Sequence, residues 1–267
     1  MEENFYARPE LAQLYDADTQ DRADLPFYLA LARDLDPASV ADVGAGTGLF
    51  CSMLVRSLVP ASRPPANEPD GSNPGISVTG VEPQQTRLDV AGRQSLADRV
   101  TWIHGTAADL PGTAFDLVFM TGHVAQYFLD DAAWGEVLQQ IARALVPGGR
   151  LVFEVRNAAA EAWRGWNDAE PREVIGGSVR QCTTMAGDCA THVDEWTIGG
   201  RTFTTRETLR FPDDAAILRG LDTAGLKLER SWGNWDGSPV TPDSPERIVV
   251  AQRPYLPSSS VSPFSVR

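Results

Sequence analysis

Histidine and cysteine are scarce in this chain, with three of each in 267 residues. The cysteines, Cys51, Cys182 and Cys189, are odd in number, and their spacing fits no zinc pattern, so no metal site is expected. Cys51 falls in an apolar helical stretch and reads as a small core residue. Cys182 and Cys189 are expected to face each other across a hairpin, without a disulfide in a cytosolic protein. No run of about 18 apolar residues occurs, which argues against a spanning helix. The start, MEENFYARPE, is acidic and mixed rather than basic then apolar, so no secretory signal is read and a cytoplasmic location is expected. Basic charge is short as well. The 23 Lys and Arg stand against 36 Asp and Glu, a net charge of −13. Such a balance disfavours nucleic acid and anionic membrane as partners.

What is present is a packed-core composition, 42% hydrophobic, arranged as alternating strands and helices. Strands are expected at 39–43, 76–81, 100–104, 115–120 and 150–155. Helices are expected at 47–58, 84–96 and 131–145, with Pro147-Gly148-Gly149 as the stop of the last. That alternation implies α/β architecture, a parallel sheet with helices on both faces. Residues 60–75 carry five prolines among Asn, Ser, Asp and Gly, and read as an exposed loop. From 173 to 211 the pattern changes to Val, Thr, Ile, Trp and Phe, with Ile198-Gly199-Gly200-Arg201 as a two-residue hairpin. This reads as a small antiparallel β-subdomain inserted into the α/β order. A helix at 213–224 and strands at 227–232 and 247–252 complete the pattern.

Two features point to a ligand. Val43-Gly44-Ala45-Gly46-Thr47-Gly48 follows the first strand and opens a helix. Glycines there let the backbone approach a ligand, and the helix start offers free N–H groups. The spacing is G-x-G-x-G, neither the dinucleotide G-x-G-x-x-G nor a P-loop. The second strand then ends at Glu82-Pro83, where a carboxylate can accept both ribose hydroxyls. Gly44 and Glu82 stand 38 positions apart; without the sixteen residues 60–75 the separation is 22, close to the roughly 20 expected. Taken alone, Glu82 reads equally as a helix cap and Asp109 as a turn cap.

VADVGAGTGLF, VEP, HGTAADLP, FDLVFMTGHVAQYF and ALVPGGRLVFEVRN follow one another like the motif series of class I S-adenosylmethionine-dependent methyltransferases. The chain is particularly similar to the bacterial small-molecule methyltransferases with TGH after the fourth strand. The resemblance covers residues 10–253 or so, and LDTAGL and GNWDGSPVTPDSPERIVVAQR near the end belong to it. It implies a Rossmann-like, doubly wound seven-stranded sheet whose last strand is antiparallel. It also implies a helical lid at 1–36, a cofactor-binding core at 37–169, inserted strands covering the substrate at 170–211, the rest of the core at 212–253 and a disordered tail at 254–267.

The resemblance carries site residues with it. Asp42 with Gly44, Ala45, Gly46 and Gly48 would hold the methionine part of S-adenosylmethionine. Glu82 and Pro83 would meet the ribose, Ala108 and Asp109 the adenine, and Thr121 and Gly122 the sulfonium region, with Tyr15 reaching in from the lid. On the acceptor side stand His123, Gln126 and Tyr127 after the fourth strand, Arg156 after the fifth, and His192 on the inserted strands. Trp163, Trp166, Trp232 and Trp235 supply aromatic surface. His123 titrates near neutrality when unperturbed, and is either a base, a positioning group or an order-giver to its loop. His104 reads as structural. The implied activity is methyl transfer to oxygen, nitrogen or carbon of a small molecule, a natural product or sugar, by a monomer or homodimer. The alternative is a cyclase or pericyclase that keeps the scaffold without transferring the methyl.

Overall fold

A computed structural model describes residues 22–58 and 76–255. The expectations for Tyr15 and most of the lid, for the proline-rich stretch and for most of the tail fall outside these residues. In chain order the elements are α1 (Asp24–Leu35), β1 (Ser39–Val43), α2 (Leu49–Leu58), β2 (Ser77–Glu82), α3 (Gln85–Ala91), β3 (Val100–His104), β4 (Phe115–Met120), α4 (Asp131–Ala144) and β5 (Leu145–Arg156). There follow β6 (Arg172–Val174), β7 (Gly177–Ala186), β8 (Cys189–Ile198), β9 (Arg201–Arg210), α5 (Asp214–Thr223), β10 (Lys227–Trp232) and β11 (Glu246–Gln252). None of the described helices is long and apolar enough to cross a membrane.

Seven strands form one sheet in the order β10-β11-β5-β4-β1-β2-β3. All pairs among β1 to β5 are parallel, and β11 runs against both of its neighbours. The side chains of β4 show why the sheet is covered twice. Leu117 and Phe119 pack with Tyr28 of α1 and with Phe50 and Leu54 of α2, whereas Val118 and Met120 pack with Leu138 and Ile141 of α4. Strict alternation of large apolar residues thus feeds two cores, each such side chain contributing about 1.5–3 kcal/mol on burial. Helix α4 starts where Asp130 accepts from the Ala133 amide at 2.8 Å and turns Trp134, Val137, Leu138 and Ile141 inward.

Three local expectations are corrected. The glycine pair after Pro147 does not stop α4; the helix ends at Ala144, and β5 begins at once. Pro147-Gly148-Gly149 instead interrupts the register, since Phe115 pairs with Leu145 but Leu117 pairs with Arg150. The helix expected over 84–96 ends at Ala91, capped by Gly92. Cys182 and Cys189 do not face each other: Cys182 lies opposite Val193 and Cys189 opposite Ala186, and both are free thiols.

The second sheet has the order β6-β7-β8-β9, all antiparallel. Its β8–β9 hairpin closes with Ile198 opposite Arg201, as the two-glycine turn predicts. Buried Arg210 at the end of β9 ties this sheet to the first, reaching Asp131 of α4 at 2.5 Å and Asp188 at 2.7 Å.

Candidate functional site

The turn after β1 is pinned from below, where the Gly44 and Ala45 amides donate to Val81 O at 2.8 and 2.9 Å. Gly44 and Gly48 have φ of +78° and +80°. A Cβ on Gly44 would stand 2.6 Å from Val124 Cγ2, and one on Gly48 would stand 2.7 Å from the Trp102 ring. Both positions therefore need glycine twice over, for conformation and for space. Glu82, buried at the end of β2, accepts from Gly46 N and Gln84 N, each at 2.9 Å. Its carboxylate so holds the turn to the second strand, with Arg87 3.8 Å away.

A cavity of about 600 Å³ opens at this edge, where the parallel strands end. Gly44, Glu82, Pro83 and Arg87 line one side; Thr106 and Ala107 line another; Val124, Tyr127 and Phe128, with Glu207 of β9, close it. Asp109 is not among the lining residues but lies beside them: its carboxylate accepts from Thr106 N at 2.8 Å, and Asp109 and Ala108 are exposed. His104 bonds through Nε2 to Pro83 O at 3.0 Å, a structural tie.

Beside the turn, Asp42 is 1% exposed. Cys51 Sγ donates to its Oδ2 at 3.7 Å, while Oδ1 has no partner among the described residues. Burial pushes this carboxyl up to about 7, against the pull of Arg22. A buried carboxylate oxygen left open next to a glycine cradle fits a ligand that brings an ammonium group. Glu82 at the next strand end fits a pair of hydroxyls.

The end of β4 carries the Thr121-Gly122-His123 turn. Thr121 is buried. The space above Gly122 is taken by the Arg22 guanidinium, 3.3 Å from where a Cβ would stand, rather than left open; Arg22 pairs with Asp24. His123 is left-handed, with φ of +61°. Its amide donates to Glu154 Oε1 at 2.6 Å, and the other oxygen of Glu154 accepts from the Tyr28 hydroxyl. Glu154 and Tyr28 are wholly buried. His123 Nε2 meets Glu246 Oε2 at 3.0 Å and Oε1 at 3.2 Å. Burial, then the nearby Arg156 charge, pushes His123 down to about 4, and burial pushes Glu246 up to about 8. Low polarity thus keeps the pair free of net charge at neutral pH.

The other acceptor-side candidates part company. Tyr127 lines the cavity and donates its hydroxyl to Glu207. Gln126 does not point towards an acceptor as expected. It is buried, with Nε2 on Arg210 O at 2.7 Å and Oε1 accepting from Arg156 Nη1 at 2.9 Å, so it ties β5 to β9. The Arg156 guanidinium also lies over Trp166, 5.0 Å from the ring centroid. His192 packs on the same Trp166 at 4.6 Å, with Nδ1 held by Gln181 and Thr183. Trp163 and Trp166 pack on Phe211, and Trp232 and Trp235 pack on Phe27. Sequence reasoning missed Tyr28, Glu154, Glu207 and Glu246. Glu154, a charge inside the apolar run VFEVR, is the one that carried a visible signal.

Residues 41–151 match the methyltransferase domain family. No curated protein sequence matches the chain. In fold the chain is similar to an S-adenosylmethionine-dependent methyltransferase from Clostridium acetobutylicum, at 12% identity and a TM-score of 0.73 over 91% of this chain and 95% of that one. It is also similar to the CcbJ methyltransferase from Streptomyces caelestis, at 19% identity and a TM-score of 0.71 over 88% and 97%. A sugar N-methyltransferase from Streptoalloteichus follows at 21% identity and a TM-score of 0.65 over 90% and 91%. At such identities the likeness is one of fold.

Proposed function

We propose that the chain, whose residues 41–151 match the methyltransferase domain family, is an S-adenosylmethionine-dependent methyltransferase that transfers the cofactor's methyl group to an oxygen, nitrogen or carbon of a natural-product or sugar acceptor. The observation that carries this reading is the cavity in which the glycine turn and Glu82 face Tyr127 and β9. It joins the strand ends of the first sheet to the second sheet, whose Arg206, Glu207 and Thr208 line it. Support also comes from the sugar N-methyltransferase among the proteins of like fold.

When bound, S-adenosylmethionine supplies a methyl group already activated by its sulfonium. The protein's part is alignment, which can account for much of the rate. In the proposed arrangement Asp42 Oδ1 and the turn at Gly44, Ala45, Gly46 and Gly48 hold the methionine end. Glu82 and Pro83 hold the ribose, Ala108 and Asp109 the adenine, and Thr121 and Gly122 border the sulfonium. The four-stranded sheet covers the acceptor, and Tyr127 joins the two at their contact. His123 takes a proton from the acceptor or positions it, which contributes about 10²–10⁴-fold where the acceptor is a hydroxyl or ammonium.

Incubation with methyl-labelled S-adenosylmethionine and a panel of amino sugars and hydroxylated natural products tests the reading. Label is expected in one acceptor class. Tight S-adenosylhomocysteine binding with no label in any product would overturn methyl transfer in favour of a non-methylating enzyme.

A further inference from the structure

We propose that Glu246 is a positioning residue for His123, and that the two act as a half-buried dyad which receives the acceptor's proton. The inference rests on the methyl-transfer reading and extends it to a residue outside the glycine turn and the TGH turn. Its basis is geometry. Because β11 runs against its neighbours, its first residue, not its last, arrives at the edge where β4 and β5 end; Glu246 pairs with Arg156 there. That brings it to His123 although the two are 123 positions apart in the chain. Both carboxylate oxygens lie within 3.2 Å of Nε2, so Nδ1 is the ring nitrogen left for an acceptor.

The ring is also fixed at its root. The left-handed His123 backbone is held by the Glu154 contact at 2.6 Å, and Glu154 by Tyr28. A non-glycine residue in that conformation persists only where its surroundings hold it, which is a mark of functional positions. The charged and titratable groups around the dyad are Arg22 and Asp24 at the start of α1, Tyr28 within it, and Glu154 and Arg156 from β5. The acidic members Glu154 and Asp24 favour an imidazolium while it exists, and Arg156 and Arg22 oppose it.

The acceptor lone pair bonds to the methyl carbon while the electron pair of the methyl–sulfur bond leaves with sulfur. The acceptor's own proton passes to Nδ1, and the Glu246 carboxylate at Nε2 offsets the charge gained by the ring. The dyad is competent once Glu246 is ionised and the ring is neutral. Turnover should therefore rise with pH through the loss of the proton that the pair holds.

Glu246→Gln keeps the shape and a hydrogen-bonding oxygen but removes the charge. With this variant kcat is expected to fall on the order of 10²-fold, with KM for S-adenosylmethionine little changed and the alkaline rise of the pH profile lost. Glu246→Asp should recover part of both. Nitrogen-15 spectra read the dyad without any acceptor. Of the three imidazoles, His123 alone should change its titration in Glu246→Gln, with His104 and His192 unmoved. A folded variant with a wild-type kcat profile, or an unchanged His123 titration, overturns the dyad. If Glu246→Gln fails to fold, the same two readouts on Glu246→Asp decide, a wild-type result again being fatal. Absence of methyl transfer by the wild-type enzyme would instead sink the functional reading, and the spectra would still judge the pairing.

Discussion

Tyr28 donates its hydroxyl to Glu154 across 126 positions of chain, and neither side chain touches solvent. The contact fastens α1 to β5 directly beneath the turn that carries His123. A hydroxyl and an amide thus depend on one carboxylate. Glu154→Ala strands both donors, each costing about 1–3 kcal/mol when left unsatisfied in the interior. Urea denaturation should show a loss of roughly 2–4 kcal/mol on the same principle. A loss below about 1 kcal/mol would mean that water has replaced the carboxylate.

Gly48→Ala should damage fold and cofactor binding together. The φ of +80° disfavours a side chain, and the new methyl would stand 2.7 Å from Trp102 and 2.9 Å from the Ala91 side chain. Trp102 is itself anchored, donating to Ala97 O at 3.1 Å, so it cannot swing aside freely. Strained backbone of this kind costs about 1–3 kcal/mol before the clash is counted. Calorimetry should find S-adenosylhomocysteine affinity reduced along with thermal stability. Wild-type affinity in a destabilised variant would separate the turn from the cofactor site.

Much of the parallel core was legible because its signals are local. β1 and β4 are short apolar runs closed by glycine turns, and their bounds agree with the sequence reading. The site was legible only where one strand end supplies the residue. Gln126 looked like an acceptor contact because nothing in FMTGHVAQYF reveals that β9 brings the Arg210 carbonyl within 2.7 Å of it. Glu246 looked like the last residue of the turn segment before a strand at 247–252, because its meeting with His123 depends on an antiparallel register. Long-range pairings of that sort leave no periodicity to read.

Gln126→Ala should loosen the second sheet. Gln126 supplies both a donor to β9 and an acceptor to Arg156, and its loss leaves the Arg210 carbonyl and one Arg156 N–H short of a partner. At about 1–3 kcal/mol per stranded buried group, a drop of some 2–3 kcal/mol is expected. Limited proteolysis should then cut first within residues 172–210. Cleavage at unchanged rate would show that the Arg210 ion pairs with Asp131 and Asp188 hold the sheet on their own.

Asp42 should make cofactor binding depend on pH. Its carboxyl is raised by burial to about 7 from an ordinary value of 3.8. The folded chain therefore holds a proton that the unfolded chain releases, so this group's contribution to stability is full below about pH 4 and is lost as pH rises through 7. His123, depressed to about 4, works in the opposite sense between pH 4 and its unperturbed value near 6.5, so the informative quantity is the difference between wild type and Asp42→Asn. Wild-type stability relative to the variant should decline from pH 5 to pH 8. Binding has the reverse sign. A ligand ammonium favours the ionised carboxylate, so S-adenosylhomocysteine affinity should climb by up to about tenfold per pH unit below 7 and level off above it. In Asp42→Asn the affinity should be weaker and nearly flat across the same range. A wild-type slope retained in that variant would place the titrating group elsewhere and remove Asp42 from the methionine end of the site.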